Sequence, residues 1–130
     1  MVVDTSALIA YLKREAEASR VESALMGASR LSISAATLVE AGIVAESLRG
    51  ALGNRELDAL LKELDFAVVP LTAAHADLAR SAYSRFGKGR HPASLNFGDC
   101  FAYALAQALG EPLLFVGEDF AQTDVKVAAY

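Results

Sequence analysis

Residues 1–12 read Met1-Val2-Val3-Asp4-Thr5-Ser6-Ala7-Leu8-Ile9-Ala10-Tyr11-Leu12. Two β-branched residues run straight into an acid, two hydroxyls and an apolar helical pattern spanning Ala7–Lys13. A short strand, Val2–Asp4, that turns at once into a helix is the opening unit of an α/β fold. Asp4 is the odd member, because a carboxylate beside buried valines costs free energy unless a charge or a hydrogen bond meets it. Two readings are open at this point. Asp4, Thr5 or Ser6 caps the helix, or the strand delivers a carboxylate to a site.

Working outward, the alternation continues. A helix is expected over 16–26, closed by Gly27, then a strand at Leu31-Ser32-Ile33 and a long helix from Ala35 to Arg49 capped by Ser34. Gly50 and Gly53 read as breaks, with Asn54 capping a helix whose Leu57, Leu60, Leu61 and Leu64 share one face. Phe66–Val69 reads as a strand stopped by Pro70, and 73–86 as a helix with Leu78, Ala79, Ala82, Tyr83 and Phe86 inward. A Gly-rich basic loop precedes a helix over 97–109 ended by Gly110; Leu113–Val116 is a fully apolar strand and 125–127 a last one. Apolar strands alternating with helices imply a parallel sheet with helices on both faces. In such sheets ligands sit beyond the carboxyl ends of the strands. Asp4 and Asp119 fall at two such ends, far apart in sequence.

Composition sets bounds. At 130 residues, 54% of them hydrophobic, the chain is expected to form a single globular domain over 1–130. The longest apolar runs are too short to span a bilayer, and Met1 leads into a strand with no basic leader, so neither membrane anchor nor signal peptide is expected. One cysteine, Cys100, excludes an internal disulfide and suits the reducing cytoplasm. The net charge of −4 argues against a uniformly basic nucleic-acid binder, but local fields matter more than the sum.

The acids are placed unusually. Glu40 lies in the apolar run Ala35–Val44 and shares a helix face with Ala36, Ile43 and Val44. A Glu there is either satisfied by an arginine or backbone groups, or it serves a site. Asp99 stands three residues after Asn96, where a capping box alone would explain it. Asp119 could start a turn, as could Asp124 after Thr123. Taken together, four carboxylates at strand ends and inside apolar helices would repel one another without a cation. Oxygen-only donors select hard ions such as Mg2+ or Mn2+, which activate water and stabilise both oxygens of a phosphodiester displacement. Thr5, Ser6 and Thr123 could orient those carboxylates. His75, His91 and Cys100 show no metal-ligand spacing.

Four blocks carry a family resemblance: Val3-Asp4-Thr5-Ser6-Ala7-Leu8; Leu38-Val39-Glu40-Ala41; 95–106, LNFGDCFAYALA; and 112–120, PLLFVGEDF, continuing to Thr123-Asp124. Over essentially its whole length the chain resembles a PIN-domain ribonuclease, specifically a VapC-type toxin of a toxin–antitoxin pair. The resemblance implies a PIN-like three-layer sandwich and a catalytic, metal-binding quartet of Asp4, Glu40, Asp99 and Asp119, with Asp4 and Asp99 the firmest ligands. It also implies Mg2+, or Mn2+, as cofactor and RNA hydrolysis leaving a 5′-phosphate. A homodimer and a cognate VapB-like antitoxin come with it. Family members often carry Asn where this chain has Glu118, which leaves Glu118, Asp119 and Asp124 as alternatives for the fourth acid, with Asp119 the one expected to approach the metal.

The loop Arg85-Phe86-Gly87-Lys88-Gly89-Arg90-His91 precedes the Asp99 helix, so Arg85, Lys88 and Arg90 are candidates to grip RNA phosphates. Lys13 and Arg14 are weaker ones. The competing classes are a haloacid-dehalogenase-type phosphatase, a receiver-like domain and a non-catalytic PIN-like RNA- or protein-binding module. The phosphatase needs a second aspartate where Ser6 stands, the receiver needs paired acids at the first strand end, and an inactive module would usually have lost part of the quartet.

Overall fold

Val2 and Val3 point to opposite faces of a strand, and each face is covered by its own apolar cluster. Val2 packs with Phe86, Tyr103, Leu105 and Leu113 on one side. Val3 packs with Leu8, Ile33, Leu57 and Leu114 on the other. The computed structural model describes all 130 residues and is a three-layer α/β sandwich: helices, parallel sheet, helices. The elements in chain order are β1 (Val2–Val3), α1 (Thr5–Leu12), α2 (Ala18–Gly27), β2 (Ser32–Ser34), α3 (Ala35–Arg49), α4 (Ala51–Glu63), β3 (Ala67–Val69), α5 (Ala73–Phe86), α6 (Phe97–Leu109) and β4 (Leu113–Leu114). A 3-10 turn, Phe120–Gln122, follows.

The sheet order is β3-β2-β1-β4, and every pairing is parallel. The chain winds outward from β1 to β3, then returns across the sheet to place β4 on the far side of β1. That reversal is the switch point at which α/β sheets open a crevice, and Asp4 stands beside it. No helix is long and apolar enough to cross a membrane.

Several boundaries differ from expectation. The helix expected to start at Ala7 starts at Thr5, because Asp4 itself is the N-cap. The strand expected over Val2–Asp4 is Val2–Val3, although the Asp4 N–H still donates to the Leu114 carbonyl at 2.9 Å. Gly53 does not break the chain; it lies inside α4 with Asn54, and only Gly50, at φ 60°, separates α3 from α4. Gly53 is where α4 crosses α3, since a Cβ there would collide with the Ala45 carbonyl oxygen. The strand expected over 125–127 is reduced to one bridge, Leu113 to Val127.

Candidate active site

Two of the predicted acids are buried: Asp4 at 2% and Asp99 at 8% exposure. Asp4 is delivered by the end of β1 and held by Ser6. Its Oδ2 accepts from the Ser6 N–H at 2.9 Å and the Ser6 Oγ–H at 2.7 Å. The same Oγ accepts from the Val116 N–H at 3.0 Å, tying the chain just beyond β4 to the start of α1. Asp4 Oδ1 is buried and has no partner at all. Burial pushes the carboxyl up from 3.8 to about 6 against the opposing Ser6 bonds, and the like charge of Glu40 adds to the rise.

Asp99 closes a capping box at the start of α6: Asn96 Oδ1 accepts from its N–H and its Oδ2 accepts from the Asn96 N–H, both at 2.9 Å. Burial raises this carboxyl to about 7, opposed by the Asn96 bond; the charges of Asp4, Asp119 and Glu40 then raise it further. Asp99 is therefore where the fields of all four acids meet, although a capping box alone would have explained its position.

Glu40 projects from α3 against the first turn of α6. A Cβ on Gly98 would collide with its carboxylate, so the absence of a side chain at Gly98 is what leaves the Glu40 carboxylate its place against α6. Glu40 is half-buried rather than sunk in an apolar core, and no basic side chain pairs with it. Asp119 is exposed in the segment after β4, and its side chain caps nothing. Glu118 is exposed beside it.

Other expected participants are engaged elsewhere. Asp124 accepts from Tyr103 Oη at 2.6 Å, Arg85 Nη2 at 2.9 Å and Gln107 Nε2 at 3.3 Å. Those bonds to Tyr103 and Arg85 hold its carboxyl below the ordinary range. Asp124 is thereby spoken for along the side of α6, and so is Arg85, whose guanidinium also covers the Phe86 ring. Arg85 is thus a strut between α5 and the C-terminal segment, not a free cation on the loop; Lys88 and Arg90 remain exposed. The Thr5 hydroxyl is turned away from Asp4: its Oγ1 lies 3.5 Å from the Thr37 carbonyl and links α1 to α3 one turn before Glu40. Thr123 Oγ1 donates to the Phe120 carbonyl at 2.8 Å within its own turn and reaches no acid.

The donor set suits a hard divalent ion. It is all carboxylate oxygen, it includes a buried oxygen without a partner, and the neighbouring negative charges add to the raised pKa values of Asp4 and Asp99. No three His, Cys, Asp or Glu side chains cluster tightly enough to cage an ion as they stand. The site is an open acidic mouth, compatible with Mg2+, which keeps several waters and takes only one or two carboxylates directly.

Sequence reading missed Gly98, Thr37 and the second bond of Ser6. A glycine in the first turn of an apolar helix costs stability and was the available signal for Gly98; the others depend on contacts distant in sequence.

Comparison with known proteins shows the family and the fold. The model of the family described as "PIN domain" matches residues 1–126. The chain is 51% identical over 125 residues to "Ribonuclease VapC" of Mycolicibacterium smegmatis, covering 96% of this chain and 97% of that protein. It is 50% identical over 129 residues to "Ribonuclease VapC28" of Mycobacterium tuberculosis, covering 98% and 97%. Among solved structures, Mycobacterium tuberculosis VapC20, described as a sarcin–ricin loop cleaving toxin, superposes with a TM-score of 0.80 at 16% identity, covering 99% and 98%. A toxin–antitoxin complex from Klebsiella pneumoniae superposes at 0.74 with 19% identity, covering 99% and 97%. At those identities the superpositions speak for the fold alone.

Proposed function

The chain belongs to the PIN-domain family, among its VapC ribonucleases, and from that premise we propose that it is the toxin of a toxin–antitoxin pair, an endoribonuclease working with Mg2+ or Mn2+. One observation carries the metal-dependent part of the reading: two buried carboxylates, Asp4 and Asp99, share a site with Glu40 and Asp119, and one oxygen of Asp4 has no partner. A hard ion held by Asp4 and Asp99, with Glu40 and Asp119 at the rim, would supply charge neutralisation and water activation for phosphodiester hydrolysis.

The protein's own groups do the positioning. Ser6 and the Asn96 backbone each fix one oxygen of a site carboxylate and leave the other turned to other duty. The N-terminus of α6 contributes a positive dipole end, which favours both the ionised Asp99 and an incoming phosphate. Lys88 and Arg90, exposed on the loop before α6, are placed to contact RNA phosphates flanking the cleaved one. Arg85 is left out of that role by its bond to Asp124.

The whole chain, 1–130, acts as one domain in this reading, working in the cytoplasm where its RNA is. Its inhibitor is a VapB-like antitoxin that covers the acidic mouth. A homodimer would account for exposed apolar side chains such as Val39 and Ile43 on α3, at 62% and 61% exposure. The test is incubation of the purified protein with total RNA in Mg2+ or in EDTA, followed by mapping of new 5′ ends. Discrete 5′-phosphate ends that require both Mg2+ and Asp99 are expected. Identical RNA profiles in Mg2+ and EDTA, across a range of protein concentrations, would refute the catalytic reading.

A further inference from the structure

Beside the acidic mouth, the groove between α5 and the first turns of α6 encloses about 700 Å3, a volume within the range of ligand clefts. Its walls include Tyr83, Phe97 and Phe101, with Arg80, Lys88 and Asn96 at the edges, and they carry no carboxylate. In a chain of net charge −4 that is a local reversal of sign. Phe97 is 79% exposed although it sits in the first turn of a helix whose other apolar residues are mostly buried. Its ring meets Phe101 edge to face with centroids 4.8 Å apart, which holds one face of the pair available. Across the groove Tyr83 is 40% exposed, and the Arg90 guanidinium lies 5.9 Å from its ring centroid.

Resting on the ribonuclease reading above, we propose that this groove is a nucleobase subsite: Phe97 and Tyr83 stack an unpaired base of the RNA next to the cleaved phosphate, while Lys88 and Arg90 hold the backbone beside it. The groove is continuous with the catalytic mouth. Asn96 lies on its edge and binds the Asp99 carboxylate, and Phe97 is two residues from Asp99 in the chain. A base seated on Phe97 would thus lie beside the phosphate at Asp99, with Asn96 between the two. Aromatic platforms flanked by cations are the general means of holding single-stranded nucleic acid, because every base offers a π-face. Lys88 and Arg90 near the groove, and a lining without a carboxylate although Asp77 sits 3.9 Å from Arg80 at the edge, fit a polyanion better than an apolar protein segment. The site would accept single-stranded RNA or an open loop and reject a paired helix, whose bases are stacked already.

The probe is a short single-stranded oligoribonucleotide carrying 2-aminopurine, titrated in EDTA so that no cleavage intervenes. Wild type should bind with quenching of the 2-aminopurine. Phe97→Ala should weaken binding roughly tenfold and abolish the quench while leaving the salt slope unchanged. Phe97→Tyr should restore both. Tyr83→Ala provides a second variant on the opposite wall with the same expected signature. Unaltered affinity and quench in Phe97→Ala and Tyr83→Ala overturn the subsite, as does conversion of a dimer to a monomer by Phe97→Ala, which would make the groove an interface between copies. Metal-dependent cleavage by wild type is scored separately. Phe97-dependent quenching without any cleavage leaves the subsite standing and removes the ribonuclease reading, whereas cleavage without Phe97-dependent quenching does the reverse.

Discussion

Replacing Asp4 by Asn should stabilise the metal-free protein at neutral and alkaline pH and destroy its activity. The substitution is nearly isosteric, and Asn is as good an N-cap as Asp, so the bonds from Ser6 to the capping oxygen survive. What disappears is a buried negative charge facing Glu40 and Asp99. The Asp4 carboxyl is raised from 3.8 to about 6, so the folded state holds its proton over a range where the unfolded chain has lost it. Stability of the wild type therefore falls as pH rises from about 4 to about 6, and the loss persists above that. At ~1.4 kcal/mol per tenfold in proton affinity, the charged form costs about 3 kcal/mol, equivalent to roughly 10 °C in Tm for a domain of this size.

Thermal melts of wild type and Asp4→Asn in EDTA, from pH 4 to 8, test this directly. The variant's advantage should be near zero at pH 4, grow through pH 6 and then level off. Millimolar Mg2+ should narrow the gap at pH 8 by stabilising only the wild type, since a ligand that binds the folded state alone adds stability by mass action. An advantage that does not vary with pH, or a variant less stable than wild type at pH 8 in EDTA, would refute the claim that the acids strain the fold.

Asp99→Asn and Glu40→Gln should each lower RNA cleavage by at least about 100-fold, the upper end for groups that support a metal site, with far-UV circular dichroism unchanged. Gly98→Ala should displace the Glu40 carboxylate and cut turnover about tenfold; combined with Glu40→Gln it should cost little more, because both act on one group. Gly53→Ala, far from the acids, should lose about 2 kcal/mol or more in urea melts because backbone blocks its Cβ, with activity per folded molecule retained. Lys88→Glu and Arg90→Glu should each lower the salt slope of RNA binding by about one phosphate contact, whereas Arg85→Ala should leave the slope as it is.

The sequence disclosed the architecture wherever a local device set it. Ser34, Asn96 and Gly110 cap their helices as read, because capping depends on a few neighbouring residues. It misled wherever a distant partner decided. Gly53 looks like a break until α3 is seen lying across it. Arg85 reads as one of several loop cations, but its partner Asp124 is 39 residues away. The meeting of Asp4 with the segment after β4 was legible for a different reason: a parallel sheet puts its strand ends on one edge. Glu40 and Asp99 were joined to them only by the family resemblance, because a capping box alone explains Asp99 and nothing local marks Glu40.

That geometry also dissolves the choice posed by the opening twelve residues. Helix capping and site chemistry do not compete for Asp4, because they use different oxygens: Oδ2 caps α1 through Ser6, and Oδ1 stays without a partner. Asp99 divides its labour in the same way, with Oδ2 committed to the Asn96 N–H. A carboxylate fixed by one oxygen at a helix start loses little further rotamer entropy when the other engages a cation. The capping bonds also lower the pKa that burial raises, keeping both acids available to a metal near neutral pH. On the proposed function the stabilising device and the functional one are the same residues, so Asp4→Ala should cost the fold its cap at any pH, while Asp4→Asn, which keeps the cap, isolates the charge.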